Sequence, residues 1–323
     1  MSLAFRRKTF MSLKKVVVAG GGVLGSQIAF QCAVKGFDVT IWLRSEGSIK
    51  RCQPKLDKNR DAYLSAVEDM KKGGIVRGLY EGADFDEAKA EKLVSDIEQA
   101  YRSIHLELDI KKAVEDCDIL IESMAENKED KIAFYKMVAP LLPEKTILVT
   151  NSSTMLPSTF AKFTGRPEKY LSLHFANEIW RNNTAEVMGQ SQTKQEYYDE
   201  VVKFAHDIGM EPLQLHKEKN GYILNSMLVP FLFSALDLYA TGVSDPETID
   251  KTWVMGTGAP AGPFHIMDVV GLQTVYNIVQ MYVKIPSFLA PYHFKDMSKL
   301  VKKMLDEGKT GRGAGEGFFK YNK

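Results

Sequence analysis

The chain has 323 residues, 45% hydrophobic and 26% charged, which excludes a disordered or fibrous protein and leaves room for two domains of about 150 residues. Its 42 Lys and Arg nearly balance 41 Asp and Glu, so no global field draws it to nucleic acid, and its longest apolar runs are cut by Asn225, Pro230 and Asp237, short of the ~20 residues of a membrane span. Cys32, Cys52 and Cys117 lack disulfide or metal-ligand spacing, as expected of a reduced, cytoplasmic enzyme without a metal.

Residues 1–13 carry Arg6, Arg7 and Lys8 but no signal-peptide apolar region, and read as a disordered tail. KKVVVAG (14–20) predicts a buried strand, followed by a helix to about Lys35, and FDVTIWL (37–43) a second strand. Residues 47–102 keep helical spacing at Leu56, Tyr63, Leu64 and Val67 and predict a helical insertion. Its second helix is expected over 86–100, with Gly73, Gly74 and Gly78 at the turn. DILIESM (118–124), TILVTNS (146–152) and YLSLHFA (170–176) predict further strands. Strands alternating with helices imply an α/β doubly wound parallel sheet with right-handed crossovers. After Gly221 the strand signals stop, and helices are expected over 222–242, 246–258, 264–283 and 294–308. The expected division is an α/β domain over 14–216 and an all-α C-terminal domain over 217–323.

Gly20-Gly21-Gly22-Val23-Leu24-Gly25 is a G-x-G-x-x-G loop that directly follows a strand and opens a helix. Gly20 permits the tight turn, Gly22 the approach of pyrophosphate, and Gly25 close helix–sheet packing, while the first helical N–H groups of Val23 and Leu24 face the phosphates. This is the context of a Rossmann NAD(P) site. The acid that usually holds the ribose hydroxyls at the end of the second strand is replaced by Leu43. Arg44 and Ser45 stand where a 2′-phosphate would be met, which points to tolerance of NADP. A solvated Arg44, with Glu46 or water at the ribose, fits the same residues.

ESMAENKEDK (122–131), TNSST (150–154), HFAN (174–177), NGYILNSMLVP (220–230), GAPAGPFHIMDVVG (258–271) and GEGFFKY (315–321) follow in order. With these motifs the chain resembles the short-chain 3-hydroxyacyl-CoA dehydrogenase family, 3-hydroxybutyryl-CoA dehydrogenases included, from about Lys14 to Lys323. The resemblance implies an N-terminal Rossmann domain and a helical C-terminal domain that makes a homodimer. It also implies a catalytic pair, His174 and Glu186, at the family spacing. Oxidising a secondary alcohol calls for a base that titrates near neutrality, and a carboxylate on its other nitrogen fixes the tautomer.

By the same resemblance, Ser153 lies near the substrate oxygen and nicotinamide, and Asn225 is a catalytic-site residue supplied by the helical domain. A helix cap at Ser153 and a locally bonded Asn225 read the same way. Asn177, Glu126 and Lys131 match cofactor-side positions, although helix-start charges give the same pattern at the last two. Lys55 and Lys58, clustered with Lys50, Arg51 and Arg60, fall in the insertion that binds coenzyme A in the family; a solvated helix face looks alike. The family's HFFNP becomes His174-Phe175-Ala176-Asn177-Glu178, and its lysine near the C-terminus falls on Gly313, beside Arg312.

The expected activity is NAD(P)-dependent interconversion of a short-chain 3-hydroxyacyl-CoA and its 3-oxoacyl-CoA, a reaction of fatty acid metabolism, with a small-molecule CoA thioester as partner. A dehydrogenase of a small polar 3-hydroxy acid without CoA, of the L-gulonate or carnitine type, is the rival, to which Arg181, Asn182 and Asn183 lend weight. A non-catalytic dinucleotide-binding regulator is the third reading, opposed by the intact His174/Glu186 spacing.

Overall fold

A computed structural model describes residues 13–321, so the tail expected at 1–13 lies, Leu13 apart, outside the described residues. The elements in order begin β1 (Lys15–Ala19), α1 (Val23–Val34), β2 (Asp38–Trp42), α2 (Glu46–Lys71), α3 (Glu87–Ser103) and β3 (His105–Glu107). Next come α4 (Ile110–Val114), β4 (Ile119–Glu122), α5 (Lys128–Val138), β5 (Ile147–Thr150) and β6 (Tyr170–Phe175). β7 (Thr184–Met188), α6 (Gln195–Asp207) and β8 (Glu211–Leu215) complete the sheet layer. The remaining helices are α7 (Tyr222–Ala240), α8 (Pro246–Thr257), α9 (Pro263–Val270), α10 (Leu272–Gln280) and α11 (Phe294–Asp306).

The eight strands lie in the order β3-β2-β1-β4-β5-β6-β7-β8, all pairs parallel except β6 with β7. β1 shows why the sheet is covered on both sides. Val16 and Val18 point into one core and Val17 and Ala19 into the other, the period of two that a strand imposes. The order reverses between β1 and β4, and a crevice at such a switch point is where an open α/β sheet receives its ligand.

The five expected strands form; β3, β7 and β8 were not anticipated. β3 has three residues. β7, Thr-Ala-Glu-Val-Met, is buried on both faces, and its glutamate breaks the continuous apolar run that such a strand would show. β8 contains Pro212, which a sheet tolerates at the edge that β8 occupies. The insertion is the expected helix pair. It is tied down by Gln31, whose Nε2 donates to the Gly78 and Ile208 carbonyls while its Oε1 accepts from the Tyr63 hydroxyl.

The chain divides into two compact units, one ending at Ile223 and the other starting at Leu224, seven residues beyond the expected division. In the second unit the helix expected over 264–283 is two helices, broken at Gly271, where φ is +90°. Two buried aspartates organise this unit. Asp250 accepts from the Phe264 and His265 amides and from His265 Nδ1, and Asp268 accepts from the Phe318 and Phe319 amides and the Tyr321 hydroxyl. The last two motifs of the chain are therefore structural joints within this unit. α7 is long and apolar enough, by length and composition, to cross a membrane, which its interruptions at Asn225, Pro230 and Asp237 had not suggested.

One ion pair lies wholly inside the sheet layer. Lys131 Nζ is 2.6 Å from Glu122 Oε1, and both side chains are 0% exposed. Glu122 also accepts from the Met124 amide, the Tyr135 hydroxyl and the Thr150 hydroxyl, so its carboxylate is fully served. This corrects the expectation that Lys131 contacts a bound cofactor: its ammonium is turned into the core, where Glu122 consumes its charge. Removing one partner of a buried pair leaves the other charge uncompensated, at a cost of roughly 3–5 kcal/mol. Lys131→Met should therefore lose about that much unfolding free energy in urea titrations; a loss below about 1 kcal/mol would contradict the structural role.

Candidate active site

The C-terminal ends of β1, β2 and β4 open onto a cleft of about 240 Å³, lined by Gly20, Gly21, Gly22, Leu43, Arg44, Ser123, Met124 and Ala125. A side chain at Gly20 would put its Cβ 2.5 Å from the Ser123 carbonyl, and one at Gly25 would put it 2.1 Å from the Gly20 carbonyl. Gly20 also has φ of +117°. At Gly22, the N-cap of α1, a Cβ would meet no protein atom, so the missing side chain leaves room for a ligand. Val23 and Leu24 follow in the first turn of α1, where the backbone N–H groups lack helical partners. These residues fit a dinucleotide pyrophosphate.

Beyond the glycines, one face of α2 lines the same cleft through Ser48, Arg51 and Lys55. Arg51 donates to Ser48 Oγ at 3.0 Å, and Lys55 donates to the Arg51 carbonyl. Among the described residues no carboxylate pairs with Arg44, Arg51 or Lys55. Ser45 instead caps α2, accepting from the Ser48 amide, and does not line the cleft. Leu43 is buried in the core beneath the loop. Lys55, expected at a coenzyme A surface, lines this cleft; Lys58 is an exposed residue of α2 outside its lining.

The catalytic candidates meet across the antiparallel pair. His174 on β6 and Glu186 on β7 are direct cross-strand partners. His174 Nδ1 is 3.1 Å from Glu186 Oε2, and Nε2 is 3.2 Å from Ser153 Oγ. A carboxylate only accepts, so Nδ1 carries the proton and Nε2 presents its lone pair to the serine hydroxyl. Glu186 Oε1 accepts from the Ile223 amide at 2.8 Å. Both members of the dyad are buried.

Ser153 stands on the turn after β5, which Glu126 organises by accepting from Ser152 Oγ, the Ser153 amide and Thr154 Oγ1. Glu126, expected at the nicotinamide ribose, is exposed and holds this turn. Asn177 lies exposed after β6, its carbonyl accepting from Asn182 Nδ2. Asn225 is half-buried on α7, in the second unit. Sequence reasoning missed Tyr222, which stacks on His174 with ring centroids 4.4 Å apart. The Asn220-Gly221 turn signal just before it was its one trace in the sequence. Burial raises the pKa of the Tyr222 hydroxyl, so it remains a donor, and it donates to the Ser152 carbonyl.

Two family models match almost the whole chain: the NAD binding domain of 3-hydroxyacyl-CoA dehydrogenase over residues 15–219 and its C-terminal domain over 221–321. The chain belongs to the 3-hydroxyacyl-CoA dehydrogenase family. The human mitochondrial hydroxyacyl-coenzyme A dehydrogenase is 29% identical over 96% of this chain and 91% of its own length. A 3-hydroxybutyryl-CoA dehydrogenase of Clostridioides difficile is 28% identical over 96% of this chain and 100% of its own. A solved diketoreductase, described as acting on dicarbonyl compounds, is 42% identical over 96% of this chain and 100% of its own, with a TM-score of 0.81.

The departure from the family's HFFNP has a backbone cause. Glu178 has φ of +57°, which proline, locked near −65°, cannot adopt, and its amide donates to Gln27 Oε1 at 2.9 Å. The turn it starts is pinned to the insertion by Trp180 against Tyr63, Arg181 against Asp69, and the Gly78 amide on the Trp180 carbonyl. Restoring the family residue with Glu178→Pro should destabilise the protein by about 3 kcal/mol, whereas Glu178→Gly should be neutral or stabilising by up to about 1 kcal/mol. Chemical denaturation of the two variants reads this directly; a proline variant as stable as wild type would show that the turn tolerates another backbone.

Proposed function

We propose that this protein reversibly reduces the 3-oxo group of an acyl compound to a 3-hydroxy group, and the observation that carries this reading is the Ser153–His174–Glu186 chain. The nicotinamide, when bound, supplies the hydride chemistry. In reduction, protonated His174 gives a proton from Nε2 to the nascent alkoxide; in oxidation neutral His174 takes it back. Glu186 holds Nδ1–H and stabilises the imidazolium. Ser153 Oγ, on Nε2 in this structure, marks the place of the reacting oxygen, and its single proton turns from Nε2 to that oxygen once substrate is bound. Asn225 is assigned to the substrate thioester or carbonyl by the family motif.

For the carrier of the 3-oxo group, a short-chain CoA thioester is the family reading. A free dicarbonyl or 3-hydroxy acid is the second, favoured by the 42% identity to a diketoreductase and by the position of Arg51 and Lys55 in the lining of the glycine-loop cleft. For the cofactor, NADP(H) is used at least comparably with NAD(H). The acid that would repel a 2′-phosphate is absent at Leu43, and Arg44, Arg51 and Lys55 put three cations in its place. The protein works as a cytoplasmic homodimer. α7 and α10 leave Met227, Leu238 and Met281 near them exposed, a surface of the kind that interfaces cover.

His174→Ala should retain dinucleotide binding and lose turnover by roughly 10²–10⁴-fold; a rate within twofold of wild type would sink the reading. Steady-state kinetics with acetoacetyl-CoA against ethyl acetoacetate name the carrier: a higher kcat/KM for the free ester would replace the thioester reading. Charge-assisted contacts contribute about 1.5–3 kcal/mol, or one to two decades of discrimination. Arg44→Ala and Arg51→Ala should each weaken NADPH by about tenfold or more and leave NADH unchanged. Equal weakening of both cofactors, or a wild type that prefers NADH by over a hundredfold, would overturn the 2′-phosphate assignment. Light scattering at micromolar concentration should give the mass of a dimer; a monomer would contradict the assembly.

A further inference from the structure

The His174 imidazole is bonded at both nitrogens, to Glu186 at one end and to Ser153 at the other. Two hydrogen bonds on opposite sides of a ring define an axis. They leave the ring free to rock about it, because hydrogen bonds tolerate a broad range of angles. Proton transfer to a substrate oxygen needs the Nε2 lone pair held in one plane, so something else must stop the rocking.

Tyr222 lies flat on that ring. The two planes are 12° apart and the centroids 4.4 Å. The tyrosine is itself anchored at its far end, where its hydroxyl donates to the Ser152 carbonyl at 2.7 Å. Ser152 precedes Ser153, the residue on Nε2, so ring, imidazole, serine and turn close into a loop of contacts. The next residue, Ile223, gives its amide to Glu186. Tyr222 has φ of +54°, a left-handed conformation that strains a bulky residue. Such strain persists only where the surroundings over-determine it, and it gathers at functional sites. Gly221 at φ +76° could have carried the turn alone; the strain at Tyr222 is what places its ring on His174 and its neighbour's N–H on Glu186.

We propose that Tyr222 is a positioning residue for proton transfer, its ring fixing the plane of the His174 imidazole and its hydroxyl fixing that ring against the Ser152–Ser153 turn. This rests on His174 acting as the acid/base. A fully active His174→Ala would remove that basis, whereas the Tyr222 variants bear on the positioning alone.

The test is single-turnover hydride transfer, followed by the absorbance of the reduced nicotinamide. The probe is acetoacetyl-CoA, or ethyl acetoacetate if that is what wild type turns over, and dinucleotide Kd is measured beside it. Tyr222→Leu, which loses the flat ring, should slow transfer by about 30–100-fold. Tyr222→Phe, which keeps the ring and loses the tether, should slow it by about 3–10-fold. Dinucleotide Kd should stay within about twofold in both, since the glycine loop is untouched. A Leu variant within threefold of wild type would overturn the proposal. So would parallel losses of rate and dinucleotide affinity in both variants, the mark of general damage. If the Leu variant does not fold, the Phe variant decides: an unchanged rate overturns the tether, and a partial loss at constant Kd supports it.

Discussion

His174 and Glu186 face each other because the chain reverses between β6 and β7, the one antiparallel step in a sheet otherwise parallel. In such a pair, side chains on the same face approach closely, and a slip of one residue sends every side chain to the opposite face. The meeting of His174 and Glu186 is therefore a property of strand register. The turn over 176–183 fixes that register, which explains why it is tied so heavily: to α1 through Gln27 and to the insertion through Tyr63, Asp69 and Gly78. The positive φ of Glu178 is a consequence of this tying, and it makes the familiar proline impossible here.

Charge in the first unit is distributed by a simple distinction. Where a cation and an anion are both buried, as Lys131 and Glu122 are, they pair with each other and the carboxylate takes three further donors. Where cations stand open and unmatched, as Arg44, Arg51 and Lys55 do, they line the cleft of the glycine loop. Sequence position alone cannot separate the two cases. Lys131 and Lys55 both sit on helices near the end of a strand, yet one is closed off by the core and the other faces solvent.

Much of the architecture was legible from local patterns. The buried β-branched runs gave five of the strands, the glycine loop its place between β1 and α1, and the helical spacing the paired insertion. β7 escaped because Glu186 breaks the continuous apolar run expected of a strand buried on both faces, and β8 because of Pro212. The long helix expected over 264–283 is two, since Gly271 serves a positive φ that apolar periodicity does not register. At the site, His174, Glu186 and Ser153 were brought together as expected. Lys131 was assigned to a ligand by motif but is buried against Glu122, while Glu126, assigned in the same way, is exposed and accepts from the turn that carries Ser153. Tyr222 was missed: apart from the turn signal before it, it reads as core among the apolar residues of its segment, and only the three-dimensional path shows it lying on the imidazole.

α7 belongs to both compact units, with Tyr222 and Ile223 in the first and everything from Leu224 in the second. The nucleotide-binding module thus borrows the opening turn of a helix whose bulk serves another body. A recombination event at the composition change near residue 216 would deliver a well-formed sheet and glycine loop with His174 still between Glu186 and Ser153 but without the ring that stacks on it or the amide that Glu186 accepts from. Inheritance of the two modules is in this sense linked through a single helical turn, and exchange of partners during evolution would have to carry Tyr222 and Ile223 along with the sheet.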